Sequence, residues 1–410
     1  MIRYLKTPWV LLLFVWPLAN CQCSDQIEYG WDLGHEPDAV ADIGPDTEPD
    51  VDVWEPENVL PEICKSDARN DRTSLVVDDN GTLWLGFHKY AGENCQNSTL
   101  VVYHKRLGGR WVREDIQPHE GIFGLSIIDS NRPIAVFPDP SDGTFKAAHR
   151  RGDREWTFHE FDLGNHRVTR RDGFDVTEDG DRFFVTFAED DGTEVRLYTS
   201  DPSTGNSRWK SRRSLEVPDP RAAMERGLRA DSDDSVYLVH NNRKRGRFGL
   251  ARYDKQDNRW PERNYFSDRN SAAYVHSFVI TDNFRLCLSS RYRGRLMVTC
   301  GTMFNLQMER KVFTDQRIAE RFPSSLVEAP NGQLYVAFQP ADNSELRVAK
   351  RSSDGKWSVQ TVFDQPAFGV STAIDTTGDL VMGFYTCEKR GLNRFDNCSL
   401  KVLRENPDEL

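Results

Sequence analysis

Four arginines, a tyrosine and a histidine stand at related places in a pattern that recurs along this 410-residue chain. Arg72, Arg171, Arg226 and Arg321 each come near the start of a short alternating segment, as do Tyr274 and His276. Guanidinium groups gathered around one opening would grip a carboxylate, sulfate or phosphate through paired N–H donors. A phenol and an imidazole two residues apart would offer an acid and a base. Glu120, Asp172 and Glu225 share these positions. They either pair with the arginines or belong with them to an ordinary solvated rim. The set is therefore a candidate ligand-binding rim, and no residue is assigned as catalytic. The chain has no Gly-rich phosphate loop, G-x-S-x-G elbow or H-E-x-x-H. Without a C-x₂₋₄-C spacing in the folded part, no metal site and no cofactor are expected.

What must position these residues is a seven-fold repeat. Each copy reads apolar-x-apolar-x-Asp, a turn, then an alternating strand. Ser74-Leu75-Val76-Val77-Asp78-Asp79-Asn80-Gly81-Thr82-Leu83-Trp84-Leu85 is the first, and Ser325–Val336 and Ser371–Val381 are clear later ones. Asp78, Asp129, Thr177, Asp231, Thr281, Ala329 and Asp375 align at spacings of 46 to 54 residues. A period near 50 built only of short period-2 strands implies blades rather than a helical solenoid. In the first copy, strand A is 74–78, B is 83–88, C is 100–105 and D is 111–116. The expected fold is all-β, a seven-bladed β-propeller of four-stranded antiparallel blades.

A tryptophan opens strand D in most copies, at Trp111, Trp156, Trp209, Trp260 and Trp357. These rings either pack between blades or form sugar-stacking platforms. The seventh copy stops after its C strand, at Ser399–Leu403. The segment 54–60 also begins with tryptophan. It is expected to supply the missing D strand and close the ring, which would remove open sheet edges. Pro56 and Pro61 suit an outermost strand.

Eight cysteines and an exported chain permit disulfides. In a four-stranded blade the D-to-A and B-to-C connections share one face. Cys64 and Cys95 can therefore meet there. Cys287 and Cys300 flank a hairpin through Arg291–Arg295, and Cys387 and Cys398 close the last B-to-C loop. Cys21 and Cys23 remain. The basic run Arg243-Lys244-Arg245-Gly246-Arg247 falls in a B-to-C loop on the same face, as a solvated tip or as a docking patch for an anionic glycan or protein partner.

Residues 1–20 read as a signal peptide, with Arg3 and Lys6 ahead of a short apolar core. Leu18-Ala19-Asn20-Cys21 resembles a bacterial lipobox, with Cys21 as the acylated first residue. Buried acyl methylenes at ~0.8 kcal/mol each would make a firm anchor. Gln22 favours the outer membrane. An acidic disordered tether is expected over 21–53, and the propeller over 54–410. Residues 24–58 carry twelve Asp or Glu and no Lys or Arg. Of the chain's net charge of −11, residues 24–58 account for −12 and the leader for +2, leaving residues 59–410 near −1. A nearly neutral domain excludes nucleic acid as a partner.

Three C-to-D turns, Ser353-Asp354-Gly355-Lys356-Trp357, Ser200–Trp209 and Arg151-Gly152-Asp153-Arg154-Glu155-Trp156, keep an Asp/Gly-then-Trp order. In this they resemble the Asp box of the sialidase-like and BNR-repeat propellers, over about residues 54–403. The resemblance implies the fold. It does not carry catalytic residues across, because the family's Arg-Ile-Pro is absent. Arg132-Pro133-Ile134 has another order, in an expected turn. The function expected is that of a lipid-anchored bacterial envelope β-propeller, a non-catalytic scaffold that binds glycans or protein partners as a monomer. The alternative is a sialidase-like glycoside hydrolase or polysaccharide lyase acting at the axial mouth.

Overall fold

The computed structural model describes residues 54–63, 73–91, 97–106, 108–118, 123–128, 131–138, 144–160, 175–179, 182–188, 194–200, 210–216, 223–230, 235–242, 247–254, 257, 259–267, 274–281, 285–302, 309–318, 324–342, 344–389 and 395–406. Side chains between 161 and 227 lie outside the description. The chain divides into two units, Met1–Val51 and Asp52–Leu410. The first unit, with the expected leader and Cys21, lies outside the described residues.

The recurring aspartate explains itself at the A-to-B turn. Asp78 Oδ1 accepts the main-chain N–H of Asn80 (3.0 Å) and Thr82 (2.8 Å), and its Oδ2 accepts Trp84 Nε1 at 3.0 Å. A short carboxylate thus satisfies donors that the turn leaves unpaired. Asp375 repeats this with Thr377 and Asp379. In the sixth copy Ala329 replaces the aspartate, and Asn331 Oδ1 takes over by accepting Gln333 N at 2.9 Å.

All described elements are strands. The first is β1 (Trp54–Ile63). The next four are β2 (Ser74–Val77), β3 (Leu83–Ala91), β4 (Asn97–Lys105) and β5 (Val112–Pro118), close to the expected A to D. Then come β6 (Gly124–Ile128), β7 (Arg132–Pro138), β8 (Phe145–Gly152) and β9 (Glu155–Glu160). The third set is β10 (Asp175–Asp179), β11 (Arg182–Ala188), β12 (Glu194–Ser200) and β13 (Lys210–Glu216). The fourth is β14 (Ala223–Ala230), β15 (Ser235–Asn242), β16 (Arg247–Asp254) and β17 (Arg259–Ser267). The fifth is β18 (Tyr274–Ile280), β19 (Arg285–Tyr292), β20 (Arg295–Thr302) and β21 (Glu309–Arg317). The sixth is β22 (Ser325–Glu328), β23 (Leu334–Phe338), β24 (Leu346–Arg351) and β25 (Trp357–Phe363). The last three are β26 (Ala367–Ile374), β27 (Leu380–Lys389) and β28 (Phe395–Glu405).

Each set pairs in sequence order as a four-stranded antiparallel sheet, and the last sheet runs β1-β28-β27-β26. Within it Trp54 faces Glu405, Asn58 faces Lys401 and Ile63 faces Cys398. The architecture is an all-β propeller with four-stranded antiparallel blades. Arg132–Ile134 opens β7 instead of forming a turn, because Pro133 near a strand's first residue costs little pairing. Thr177 also departs from its expected place. It lies inside β10, whereas Asp78, Thr281, Ala329 and Asp375 directly follow their A strands.

Cores form between neighbouring blades. Leu85, Phe87 and Val101 of the first blade pack with Val381, Tyr385 and Val402 of the last, and with Val59 and Ile63 of β1. Gly383 lets the blades close here, since a Cβ on it would stand 2.5 Å from Leu85 Cδ1. Trp111, Trp156 and Trp357 share in this packing, while Trp260 meets Tyr253 of its own blade at 5.3 Å. Trp357 meets Phe313 of the preceding blade edge-on at 5.4 Å, and Trp156 packs with the core between the first two blades. Trp209 lies outside the described residues.

Hydroxyls latch the inner strands together. Thr73 Oγ1 lies 2.6 Å from Gly369 O, 2.6 Å from Ser371 Oγ and 2.8 Å from Gly383 O. Ser325 Oγ lies 2.7 Å from Thr372 Oγ1. These contacts satisfy polar groups that water cannot reach.

Candidate functional site

The mouth face carries the D-to-A and B-to-C connections. Of the expected rim, His276 is the residue whose side chain is described. It is not ahead of its A strand but inside β18. Val275 faces Ser290 and Ser277 faces Ser289, so His276 is the extra residue of a β-bulge. Bulges re-aim a side chain, and they recur beside functional sites. The main-chain N–H of Ser324, which precedes β22, donates to His276 Nδ1 at 3.2 Å. Ser324 Oγ lies 3.1 Å from Nδ1 and donates to Ser289 Oγ at 2.9 Å. Ser324 thus holds Nδ1 through both its main chain and its hydroxyl, which fixes the orientation of the ring.

Tyr274 also lies inside β18, opposite Arg291, and Arg226 and Glu225 lie inside β14. The structure thus corrects the expectation that these residues precede strand A. The A strands of the fourth and fifth blades begin early and absorb extra residues through register shifts at 223–228 and 275–277. The side chains of Tyr274 and Arg226 are not described. Arg72, Arg171, Arg321, Glu120 and Asp172 lie outside the described residues, as do Cys64, Cys95 and Arg243–Gly246.

The disulfides Cys287–Cys300 and Cys387–Cys398 are formed as the spacing implied. Cys287 and Cys300 are direct cross-strand partners, and the hairpin they staple turns at Arg293 (φ 49°) and Gly294 (φ 82°). Two residues with positive φ make the tight turn whose twist matches its strands.

This hairpin holds a cluster that sequence reasoning passed over. Arg291, Arg293 and Arg295 surround the tip, and Arg295 stands directly opposite Arg317 of β21. Arg293 lies over the Tyr292 ring, 5.2 Å from its centre. The tip is pinned from the side. Ile318 N donates to Gly294 O at 2.9 Å, and Ala341 N of the next blade donates to Arg317 O at 3.0 Å. The available signal was compositional. From Arg285 to Thr302 there are four arginines and no Asp or Glu.

At the opposite end of the blades, β1 and the turns of the first and last blades line a cleft of about 370 Å³. Its charges are largely matched. Lys105 Nζ donates to both oxygens of Glu57, at 2.8 and 2.7 Å, and Arg404 pairs with Asp375.

Glu114, buried between the first two blades, is the most strongly perturbed described carboxylate in the core. Burial opposes its ionisation. Hydrogen bonds from His104 and Arg150, and the Arg150 charge, outweigh that and hold it at about 2. Arg150 Nη2 lies 2.9 Å from Oε1, His104 Nε2 3.0 Å from Oε1, and Trp156 Nε1 donates to Oε2 at 2.9 Å. His104 also stacks on Trp84 at 4.5 Å. This network ties blades together rather than facing solvent. His149 is pushed down to about 4 by burial, with His159, Arg132 and Arg151 adding repulsion. In the C-to-D turn before Trp357, hydrogen bonds from Ser352 and Lys356 hold Asp354 at about 2, which is the turn-building role expected of the Asp-box-like motif. Among the described residues no three His, Cys, Asp or Glu side chains converge as metal ligands would.

No protein family matches the sequence, and no curated protein does. Solved structures do. Virginiamycin B lyase from Staphylococcus aureus aligns at a TM-score of 0.53 with 12% identity, over 86% of this chain and 99% of that one. The fucose-specific lectin from Aleuria aurantia aligns at 0.52 with 10% identity, over 74% and 97%. The NanB sialidase from Streptococcus pneumoniae aligns at 0.47 with 9% identity, over 86% and 71%, and adds nothing to the assignment. At these identities the likeness defines a class, the β-propeller, and no activity.

Proposed function

We propose that this protein is a non-catalytic binding propeller of the bacterial envelope, presenting its mouth face to glycans or protein partners. We read its seven sheets as one ring that β1 closes on β28, anchored through acylated Cys21 beyond an acidic tether. The observation that carries the binding role is the commitment of His276. Ser324 holds its Nδ1 through both main chain and hydroxyl, so the ring is fixed in place on the bulge. A fixed polar ring on a bulge suits recognition by rigid scaffold and variable loops. The lyase and the lectin are both propellers, so the fold accommodates either a catalyst or a binder.

A glycan and polysaccharide screen on the full chain tests this. His276→Ala should weaken binding of a captured glycan about tenfold, the worth of one or two hydrogen bonds. Unchanged affinity would remove His276 from the site. Turnover of a bound glycan would establish the enzyme alternative in its place. For the anchor, Cys21→Ser should move the expressed protein from the detergent phase to the aqueous phase on detergent partition. A wild-type protein that already stays aqueous would end the lipoprotein reading.

A further inference from the structure

We infer that the hairpin tip of the fifth blade is a docking platform for an acidic polysaccharide, a sugar chain bearing regularly spaced carboxylates or sulfates. The inference deepens the binding role proposed above and rests on it. Like charges directly across an antiparallel pair destabilise it, yet Arg295 faces Arg317. Neither these two nor Arg293 has a carboxylate partner among the described residues. The carboxylates of the adjoining loop are engaged elsewhere: Asp342 Oδ1 accepts Ser344 Oγ at 2.9 Å, Glu345 pairs with Arg347, and Thr361 donates to Glu345 at 2.8 Å. The turn does not call for arginine either. Position 293 has positive φ, which Asn or Gly adopts at less cost. Repulsion is thus built into a domain that is otherwise nearly neutral, and a bound polyanion would relieve it.

The platform is also rigid. The Cys287–Cys300 disulfide staples its base, and the Gly294 and Arg317 carbonyls are tied to the neighbouring chain. Arg295 and Arg317 face each other beyond a register shift in the β20–β21 pairing, and cations held on so pinned a backbone meet repeating charges with little ordering cost. A single small anion would engage only part of the set. A peptide adding as a strand would need a free sheet edge, and here Ile318 already occupies the tip's backbone. The envelope location proposed above puts polysaccharide rather than nucleic acid within reach of the platform. The Tyr292 ring, under Arg293, adds a flat surface suited to a sugar.

The test titrates the full chain with dextran sulfate, polygalacturonate, uncharged dextran and polyglutamate, at low and physiological salt. The platform variant is Arg293→Gln, Arg295→Gln, Arg317→Gln. The control variant is Arg110→Gln, Arg259→Gln, Lys356→Gln, which removes the same charge from C-to-D turns at the other end of the blades. Matching circular dichroism and melting curves establish that both are folded. The platform variant should bind both acidic polysaccharides at least about tenfold more weakly with a shallower salt dependence, and the control should not. Equal losses in both variants, or none in the platform variant, would overturn the platform. Polyglutamate binding as tightly as the polysaccharides would overturn the ligand class in favour of an acidic protein. If only uncharged glycans bind, with affinity reduced by His276→Ala, this inference falls and the binding role stands. If no glycan of either kind binds, this inference falls and the binding role is left to protein partners.

Discussion

Replacing Glu114 by glutamine should destabilise the folded protein by about 3 kcal/mol at neutral pH, because it strands the Arg150 guanidinium between two blades without its counter-ion. The size follows two ways. Removing one member of a buried ion pair costs about 3–5 kcal/mol. Independently, a carboxyl held at about 2 against its ordinary 4.5 corresponds to about 3 kcal/mol of preferential stabilisation of the charged form. The sign of the pH dependence follows. Glu114 has a depressed folded-state pKa, so its contribution is complete above about 4.5 and is lost as pH falls towards 2. His149, depressed to about 4, adds a separate loss as pH falls from its ordinary 6.5 towards 4, because unfolding takes up a proton. The difference between wild-type and Glu114→Gln denaturation curves across this range isolates the Glu114 part. A difference that is flat with pH, or below about 1 kcal/mol at pH 7, would mean that solvent screens the network. Pairing Glu114→Gln with Arg150→Met should recover part of the loss, since an apolar pair leaves no buried charge uncompensated.

Val59→Asp should be comparably damaging, at about 3–5 kcal/mol, through a different mechanism. Val59 is 7% exposed and packs into the core shared by the first and last blades. A carboxylate there has lost water and gained no partner. Relief by detaching β1 would uncover the edge of β28, and aggregation should follow. Asn58→Asp is the matched control. It adds the same charge one residue away, on the exposed face where Lys401 Nζ already lies 2.7 Å from Asn58 Oδ1. Denaturant unfolding should separate the two variants by several kcal/mol, and amide exchange of β28 should accelerate in Val59→Asp alone. Equal stability of the two would mean that β1 does not seal the last blade in solution.

The repeat made the first blade's strands legible to within three residues, because period-2 alternation and turn chemistry are local. Asp78 builds its turn with residues two to four positions away. Cys287 and Cys300 likewise lie across a two-residue turn that Arg293-Gly294 can make. Strand order in a blade follows from such hairpins, so the sequence by itself determined the class of fold, the hairpin disulfides and the Trp54 segment as a candidate last strand.

The site was another matter. His276 and Tyr274 looked like residues ahead of a strand, and a bulge put them inside one. A single inserted residue alters side-chain direction without altering composition or period. The arginine tip was hidden for a related reason. Arg317 is 22 positions from Arg295 in sequence, and only the pairing of β20 with β21 sets them face to face. Glu114 and Arg150 meet across 36 positions and two blades. Strand identity depends on neighbours along the chain, whereas charge pairing depends on neighbours in space. Tertiary structure therefore decided that Glu114 neutralises Arg150, whereas Arg293, Arg295 and Arg317 gather with no carboxylate partner among the described residues.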